Sequence, residues 1–390
     1  MPVGIYISVP FCRSKCSYCN FASGVFAREM AAGYVERLYA DIRRAQQTAS
    51  AMGGIIERKA DSVYLGGGTP TTLAPAQIER IFAALRQEFE IDATAEITVE
   101  CAPGSLGPEI LEALVRAGVN RVSLGVQSFV DAEATAVGRL HTRAAVLDDI
   151  SRLRAAGISN INIDLIAGLP HQTEVSWRAS LDETIAAGVL HASVYMLEVD
   201  GDSRLGRELI AGGTRYHAHF VPDENAVADS YEQACAQLGA AGIAQYEISN
   251  FARPGMESRH NLKYWTRQPY VGFGLDAHSM LEGPNGATRF STPDSLDNFM
   301  AGAPLNRTLV SPRDALEETF FLGLRLARGV DVKAVSARFG VDVEAEFGDV
   351  IRELESSGML EGEGGVLRLT PAGRPLSNEV FERFIRIPAK

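Results

Sequence analysis

Along the first half of the chain, short unbroken apolar runs alternate with longer stretches whose apolar residues return every three or four positions. The runs are "GIYISV" (residues 4–9), "SVYLGG" (62–67), "EITVE" (96–100), "RVSLGV" (121–126), "INIDLI" (161–166) and "ASVYML" (192–197). They are rich in β-branched residues and nearly continuous in hydrophobicity, as expected of strands buried on both faces. Between them, "AQIERIFAALRQEF" (76–89) and "EILEALVRAG" (109–118) carry helical periodicity, the second closing on Gly118 as a C-cap. Strand alternating with helix predicts a parallel sheet with right-handed crossovers.

An open sheet and a barrel both fit that alternation, and the placement of unusual residues separates them. A cysteine-rich segment follows the first run, "GGGTPT" (66–71) closes the second, Glu100 ends the third, Gln127 follows the fourth, and Asp164 lies within the fifth. Strand ends of a barrel converge on one mouth, so these groups would share a site there. The expectation is an α/β chain with a partial (β/α)6 TIM-like barrel, extended by a helix over 223–242 and the strand "QYEIS" (245–249).

The tail changes character. "PRDALEETFFLGLRLARGVD" (312–331) and "GDVIRELESSGMLEG" (348–362) read as helices, and "GVLRLTPAG" (365–373) as a short hairpin. Helices followed by a β-wing suggest a winged-helix-like C-terminal domain. The expected division is 1–240 for the barrel core, 241–304 for an extension packed on it, and 305–390 for the C-terminal domain.

Composition narrows the class. With 46% hydrophobic and 22% charged residues, the 390-residue chain can bury a sizeable core. A net charge of −12 argues against a nucleic-acid backbone as partner. No apolar run approaches the roughly 20 residues of a membrane span, and "MPVGIYISVPFC" lacks the basic-then-apolar order of a secretory signal. Five cysteines, three of them clustered, do not form a disulfide framework, so a cytoplasmic location is expected.

The clustered three, Cys12, Cys16 and Cys19, are spaced C-x-x-x-C-x-x-C. Structural zinc usually takes four ligands, and Cys101 and Cys235 stand far away and alone. Catalytic zinc with three ligands remains an alternative, but the spacing suits a cubane iron–sulfur cluster better. Thiolates are the usual ligands of such clusters, and three leave one of the four irons open. "GGGTP" reads as a turn where backbone approaches something closely, or simply as a tight βα turn. Glu100, Gln127 and Arg139 have bland readings as exposed or packing groups, whereas a charge on Asp164 inside an apolar strand needs partners.

With Tyr18 before the third cysteine, the segment resembles the radical S-adenosylmethionine (SAM) superfamily, whose mark is C-x-x-x-C-x-aromatic-C. The resemblance implies a [4Fe–4S] cluster held by Cys12, Cys16 and Cys19, with SAM chelating the open iron. It also implies a SAM pocket of Tyr6, Gly67, Gly68, Thr69, Glu100, Gln127, Arg139 and Asp164. "IYISVPFC", "YLGGGTPT", "GVQSF", "NIDLIAGLPHQT", "YEISNFARPG" and "RHNLKYW" extend the likeness to nearly the whole chain. They resemble the branch of oxygen-independent coproporphyrinogen III oxidase and its relatives, the HemW-type heme chaperones.

Two features favour the chaperones. The oxidase carries a further cysteine two residues after the third ligand, where this chain has Phe21, and an N-terminal extension where this chain begins on its first strand. "HNLKYW" (260–265) matches the chaperones' H-N-x-x-Y-W motif, which implies heme bound through His260, Asn261, Tyr264 and Trp265. Imidazole is a common protein ligand of heme iron, although a histidine beside aromatics is often just a packed one. The "HAH" of 217–219 reads as a solvated loop. The resemblance further implies apo-hemoproteins as heme acceptors, an electron donor for the cluster and no catalytic residue. Porphyrinogen oxidation by a 5′-deoxyadenosyl radical is the alternative function.

Overall fold

The structure is a computed structural model and describes residues 1–284 and 286–386. All six predicted strands form: β1 (Val3–Val9), β2 (Lys59–Gly67), β3 (Glu90–Cys101), β4 (Arg121–Gln127), β5 (Asn160–Ala167) and β6 (His191–Met196). They lie side by side in chain order, every pair parallel, as helix-linked strands must. The expected partial barrel of six parallel strands is therefore present.

Alternation along β1 buries Ile5 and Ile7 completely and leaves Tyr6 and Ser8 to line the interior. Helix 75–88 starts on Pro75 and covers the outside with Ile78, Ile81, Phe82 and Leu85, an i, i+3, i+4, i+7 stripe. Helix 108–117 stops at Gly118, whose φ of 81° lets its N–H reach the carbonyls of Leu114 and Val115.

The sheet does not stop at six strands. β7 (Ala244–Glu247) and β8 (Asn250–Ala252) follow β6 in antiparallel pairing. On the other flank β9 (Tyr270–Phe273) pairs parallel with β1, and β10 (His278–Gly283), β11 (Gly286–Ser291) and β12 (Asn306–Val310) continue antiparallel. Residues 241–304 thus continue both edges of one 12-stranded sheet rather than merely packing on it.

The short helix Arg259–Trp265 closes the lower end of the barrel, where the strands begin. Glu96, midway along β3, accepts from the backbone N–H groups of Arg259 (3.0 Å) and His260 (3.1 Å) and from the Ser258 hydroxyl (3.4 Å). Its negative charge complements the positive end of the helix dipole.

The tail departs from the sequence expectation in its boundaries. The first helix ends at Gly323 instead of 331, because the chain folds back so closely that a Cβ there would meet Val330 Cγ2 at 2.7 Å. The next helices are Val332–Phe339 and Val343–Ser356. The stretch read as helix to 362 breaks at Gly358 (φ 73°), and Leu360–Glu363 becomes a strand paired with Val366–Leu369. The turn is Gly364-Gly365, both with positive φ (62° and 85°), the geometry that suits the twist of a two-residue hairpin. The wing is therefore residues 360–369, not 365–373. A separate core surrounds Phe320, Phe347 and Phe384. Among the described residues no helix is long and apolar enough to cross a membrane.

Candidate cluster, ligand and cargo site

The cysteine loop leaves the top of β1 and folds back on itself. Cys12 N–H donates to the Gly24 carbonyl and Gly24 N–H to that of Pro10, both at 2.9 Å. The Lys15 ammonium ties the loop by donating to the carbonyls of Phe21 and Ser23, at 2.7 Å each. On the far side, Ser17 N–H reaches the Val137 carbonyl (3.1 Å) and Ser14 Oγ that of Gly138 (3.0 Å).

The glycine turn braces this loop. Gly68 N–H donates to Val9 and Thr69 N–H to Phe11, both at 2.9 Å. A Cβ on Gly68 would stand 2.8 Å from the Val9 carbonyl oxygen and 3.0 Å from that of Phe11. Gly67 holds φ at 97°, a conformation natural only to glycine. The tight-turn reading and the ligand-site reading thus describe the same residues: Gly67, Gly68 and Thr69 shape the backbone that presents the thiols.

Arg139 Nη1 lies 3.5 Å from Cys16 Sγ, and Thr69 Oγ1 lies 3.9 Å from Cys12 Sγ. Burial pushes the Cys12 thiol up, so positive charge or metal is needed to hold it as thiolate. Among the described residues no three His, Cys, Asp or Glu side chains converge on a single-ion site. Cys101, buried in β3, and Cys235, on helix Glu224–Ala240, stand apart from the loop.

The polar strand ends meet inside the mouth. Glu100 accepts from Tyr64 Oη (2.9 Å) and Gly67 N–H (3.2 Å). Burial, then the neighbouring Asp164 carboxylate, push its pKa up to about 7. Asp164 is also pushed up by burial, against hydrogen bonds from Ser123 (3.1 Å) and Asn162 (2.7 Å). Those are the partners that a carboxylate within an apolar strand requires.

Gln127 sits on a bulge closing β4 with φ of 68°; such kinks re-aim side chains near sites. Its Oε1 and the Arg139 Nε are buried without partners among the described residues. Three soft thiols, two lumen carboxylates and two orphaned polar atoms suit a cluster and a polar, cationic ligand such as SAM.

Beside this mouth runs an open cavity of about 280 Å³. It is lined by Tyr6, Ser8 and Gly67, by Phe21 and Ala22 of the cysteine loop, and by Tyr264, Tyr270, Leu275, Asp276 and His278. Tyr264 of "HNLKYW" therefore faces the same space as the cysteine loop.

His260 does not. It is 1% exposed, with Nδ1 3.0 Å from Ser62 Oγ and Nε2 2.8 Å from the Tyr264 hydroxyl. Burial, then Lys263 and Arg121, lower its pKa to about 3. Asn261 lies in the helix's first turn, its N–H capped by Ser258 Oγ (3.4 Å). Trp265 packs under the Arg325 guanidinium, 4.3 Å from its ring centre. The motif is thus split: Tyr264 on the cavity, His260 behind it, Trp265 towards the tail.

The "HAH" segment is an exposed 3₁₀ turn, Arg215–Phe220, where His217 Nδ1 lies 3.1 Å from His171 Nε2. Sequence reading missed Tyr64, Ser8, Asp276 and His278. Only the twin glycines of "VGFGLDAHS", which announce a close approach, pointed toward the last two.

A parallel half-barrel with three thiols and buried carboxylates at its mouth is the architecture of radical SAM proteins. The family model for the Radical SAM superfamily matches residues 6–184, and that for the HemN C-terminal domain matches 310–376. Heme chaperone HemW of Lactococcus lactis is 33% identical, over 98% of this chain and 97% of its own. Heme chaperone HemW of Bacillus subtilis is also 33% identical, over 97% and 98%. The solved coproporphyrinogen III oxidase (HemN) of Escherichia coli shares the fold at a TM-score of 0.84 and 24% identity, covering 98% of this chain and 90% of its own. This chain belongs to the HemW family of radical SAM proteins. Superfamily membership implies a [4Fe–4S] cluster and SAM.

Proposed function

We propose that this protein is a heme chaperone that takes up heme in the cavity beside its cluster and passes it to apo-hemoproteins. The observation that carries this reading is the continuity of the cavity, from the cysteine loop at Phe21 and Ala22 to the "HNLKYW" helix at Tyr264. Its volume of about 280 Å³ stands at the lower end of the range of ligand pockets. Its aromatic wall offers faces for a porphyrin.

Cys12, Cys16 and Cys19 would hold the cluster, and Arg139 supplies positive charge beside Cys16. Tyr6, Gly67, Glu100, Gln127 and Asp164 would hold SAM; Glu100 and Asp164 offer acceptors for hydroxyl or ammonium groups. When bound, the cluster supplies one-electron chemistry and an open coordination position. An electron donor, a cytoplasmic setting and the division at 240 and 304 belong to the same proposal.

Phe21 stands at the rim, 67% exposed, where the oxidase has its extra cysteine, so porphyrinogen oxidation is not expected. The test is anaerobic reconstitution followed by two parallel assays. Heme-loaded protein should restore activity to an apo-hemoprotein acceptor, and cluster-loaded protein with SAM should leave coproporphyrinogen III unchanged. Sustained porphyrinogen turnover without heme transfer would reverse the assignment.

A further inference from the structure

A heme-iron ligand has to present a free donor atom to the cavity, and the seven histidines of the chain differ sharply in that respect. His260 and His191 are buried with both ring nitrogens engaged by side chains. His141 is buried against the Val126 carbonyl. The remaining three besides His278 gather around Phe220 in the exposed turn, away from the cavity wall. His278 lines the cavity, its side chain is 68% exposed, and Nδ1 has no partner among the described residues.

The backbone delivers this residue deliberately. Gly272 sits under it so closely that a Cβ would meet the His278 carbonyl oxygen at 2.4 Å, and one on Gly274 would meet that of Ser8 at 2.4 Å. The turn is pinned by Gly272 N–H to Ser279 Oγ (3.0 Å), Ala277 N–H to Thr292 Oγ1 (2.8 Å) and Asp276 N–H to the Pro293 carbonyl (2.9 Å). Asp276 holds a left-handed φ of 52°, a costly choice for a non-glycine residue that is concentrated at functional sites. That conformation sets its carboxylate 3.6 Å from His278 Nε2. A carboxylate on the distal nitrogen is the usual companion of a metal-bound imidazole, fixing its tautomer and strengthening it as a donor.

We infer that His278, and not His260, is the heme-iron ligand, with Asp276 as its positioning residue. The inference rests on the chaperone reading. His260 then acts through Tyr264, holding the phenol that lines the same cavity. The neutral imidazole gives its Nδ1 lone pair to iron as the Fe–N bond forms; no electron moves and no proton leaves.

The test uses the cluster-reconstituted full chain titrated with hemin and read by optical and EPR spectra. The wild type should show an imidazole-ligated heme. His278→Ala should lose that signature, and added free imidazole should restore it; His278→Cys should replace it with a thiolate signature, which reports ligation even if the alanine variant folds poorly. His260→Ala should keep the imidazole signature with weaker binding. Asp276→Asn should keep it too but raise the heme midpoint potential, an effect that a purely structural role would not produce. Retention of the signature in His278→Ala without added imidazole, with loss in His260→Ala, overturns the assignment while leaving the chaperone reading intact. Absence of saturable hemin binding by the wild type removes both.

Discussion

At the scale of single residues, the site is governed by what burial does to charge. Glu100 has its pKa raised to about 7 by burial and then by Asp164, so the fold favours its protonated form. A raised carboxyl contributes stability that is complete below its unfolded value near 4.5 and is lost as pH rises through about 7. Before cluster and SAM are added, wild type should therefore lose stability relative to Glu100→Gln between pH 5 and 8. Parallel thermal melts that stayed the same distance apart across that range would contradict this. The cysteines make a second case. Cys16→Ala should abolish the visible absorbance of the reconstituted cluster, whereas Cys101→Ala and Cys235→Ala should keep it, since neither sits in the loop. Iron and sulfide analysis of the three variants decides the point.

At the scale of elements, the turn Gly66–Pro70 and helix Arg259–Trp265 hold the two ends of the barrel. Gly68→Val should act mainly through the cysteine loop, since its first side-chain atom collides with the backbone at Val9 and Phe11. Cluster loading should fall together with SAM binding, and isothermal titration on protein that still carries a full cluster would expose any separate effect on SAM. At the other end, Glu96→Gln removes the charge on which the helix start is seated. The expected cost is about 1.5–3 kcal/mol, the range for hydrogen bonds to a charged group, measured by denaturant unfolding. Weaker heme binding should accompany it, because Tyr264 rides on that helix. The wing of the tail shows how far turn chemistry reaches. Gly358, Gly364 and Gly365 were all visible in sequence, yet helical periodicity over 348–362 outweighed Gly358 as a helix stop.

At the scale of the whole molecule, the tail is fastened to the extended sheet by a buried ion pair. Glu318 accepts from Arg267 at 2.7 Å and from Arg289 at 2.5 Å, and the side chains of Arg267 and Glu318 are 3% and 7% exposed. Removing one member of such a group leaves charge buried without its partner, at a cost of about 3–5 kcal/mol. Glu318→Ala should therefore lower the unfolding midpoint and open the segment before residue 312 to limited proteolysis. An unchanged digestion pattern would mean that the remaining contacts, such as Ile248 N–H to the Arg325 carbonyl (3.1 Å), suffice to seat the tail. Arg267 shares the β9 approach with Tyr270 on the cavity wall, so loosening at Glu318 should also weaken heme retention.

The sequence by itself determined the elements and the class of chemistry. Six strands, their order, the helix stop at Gly118 and the three-thiol spacing are local patterns, set by side-chain period, backbone freedom and ligand count. It also brought Glu100, Gln127 and Asp164 to one mouth, because parallel strands share a direction and their C-terminal ends must meet. What only the tertiary structure decided is which face each residue turns to the cavity. "HNLKYW" reads as one heme motif along the chain, yet His260 and Tyr264, one turn apart on the same helix face, meet different surroundings: Ser62 and the Tyr264 hydroxyl enclose the imidazole, and Tyr264 lines the cavity. The sheet's far flank, where β9 adds beside β1, joins residues over 260 positions apart and carries His278 to the site. No local pattern encodes that pairing, because it arises from burial of two distant strand edges against each other.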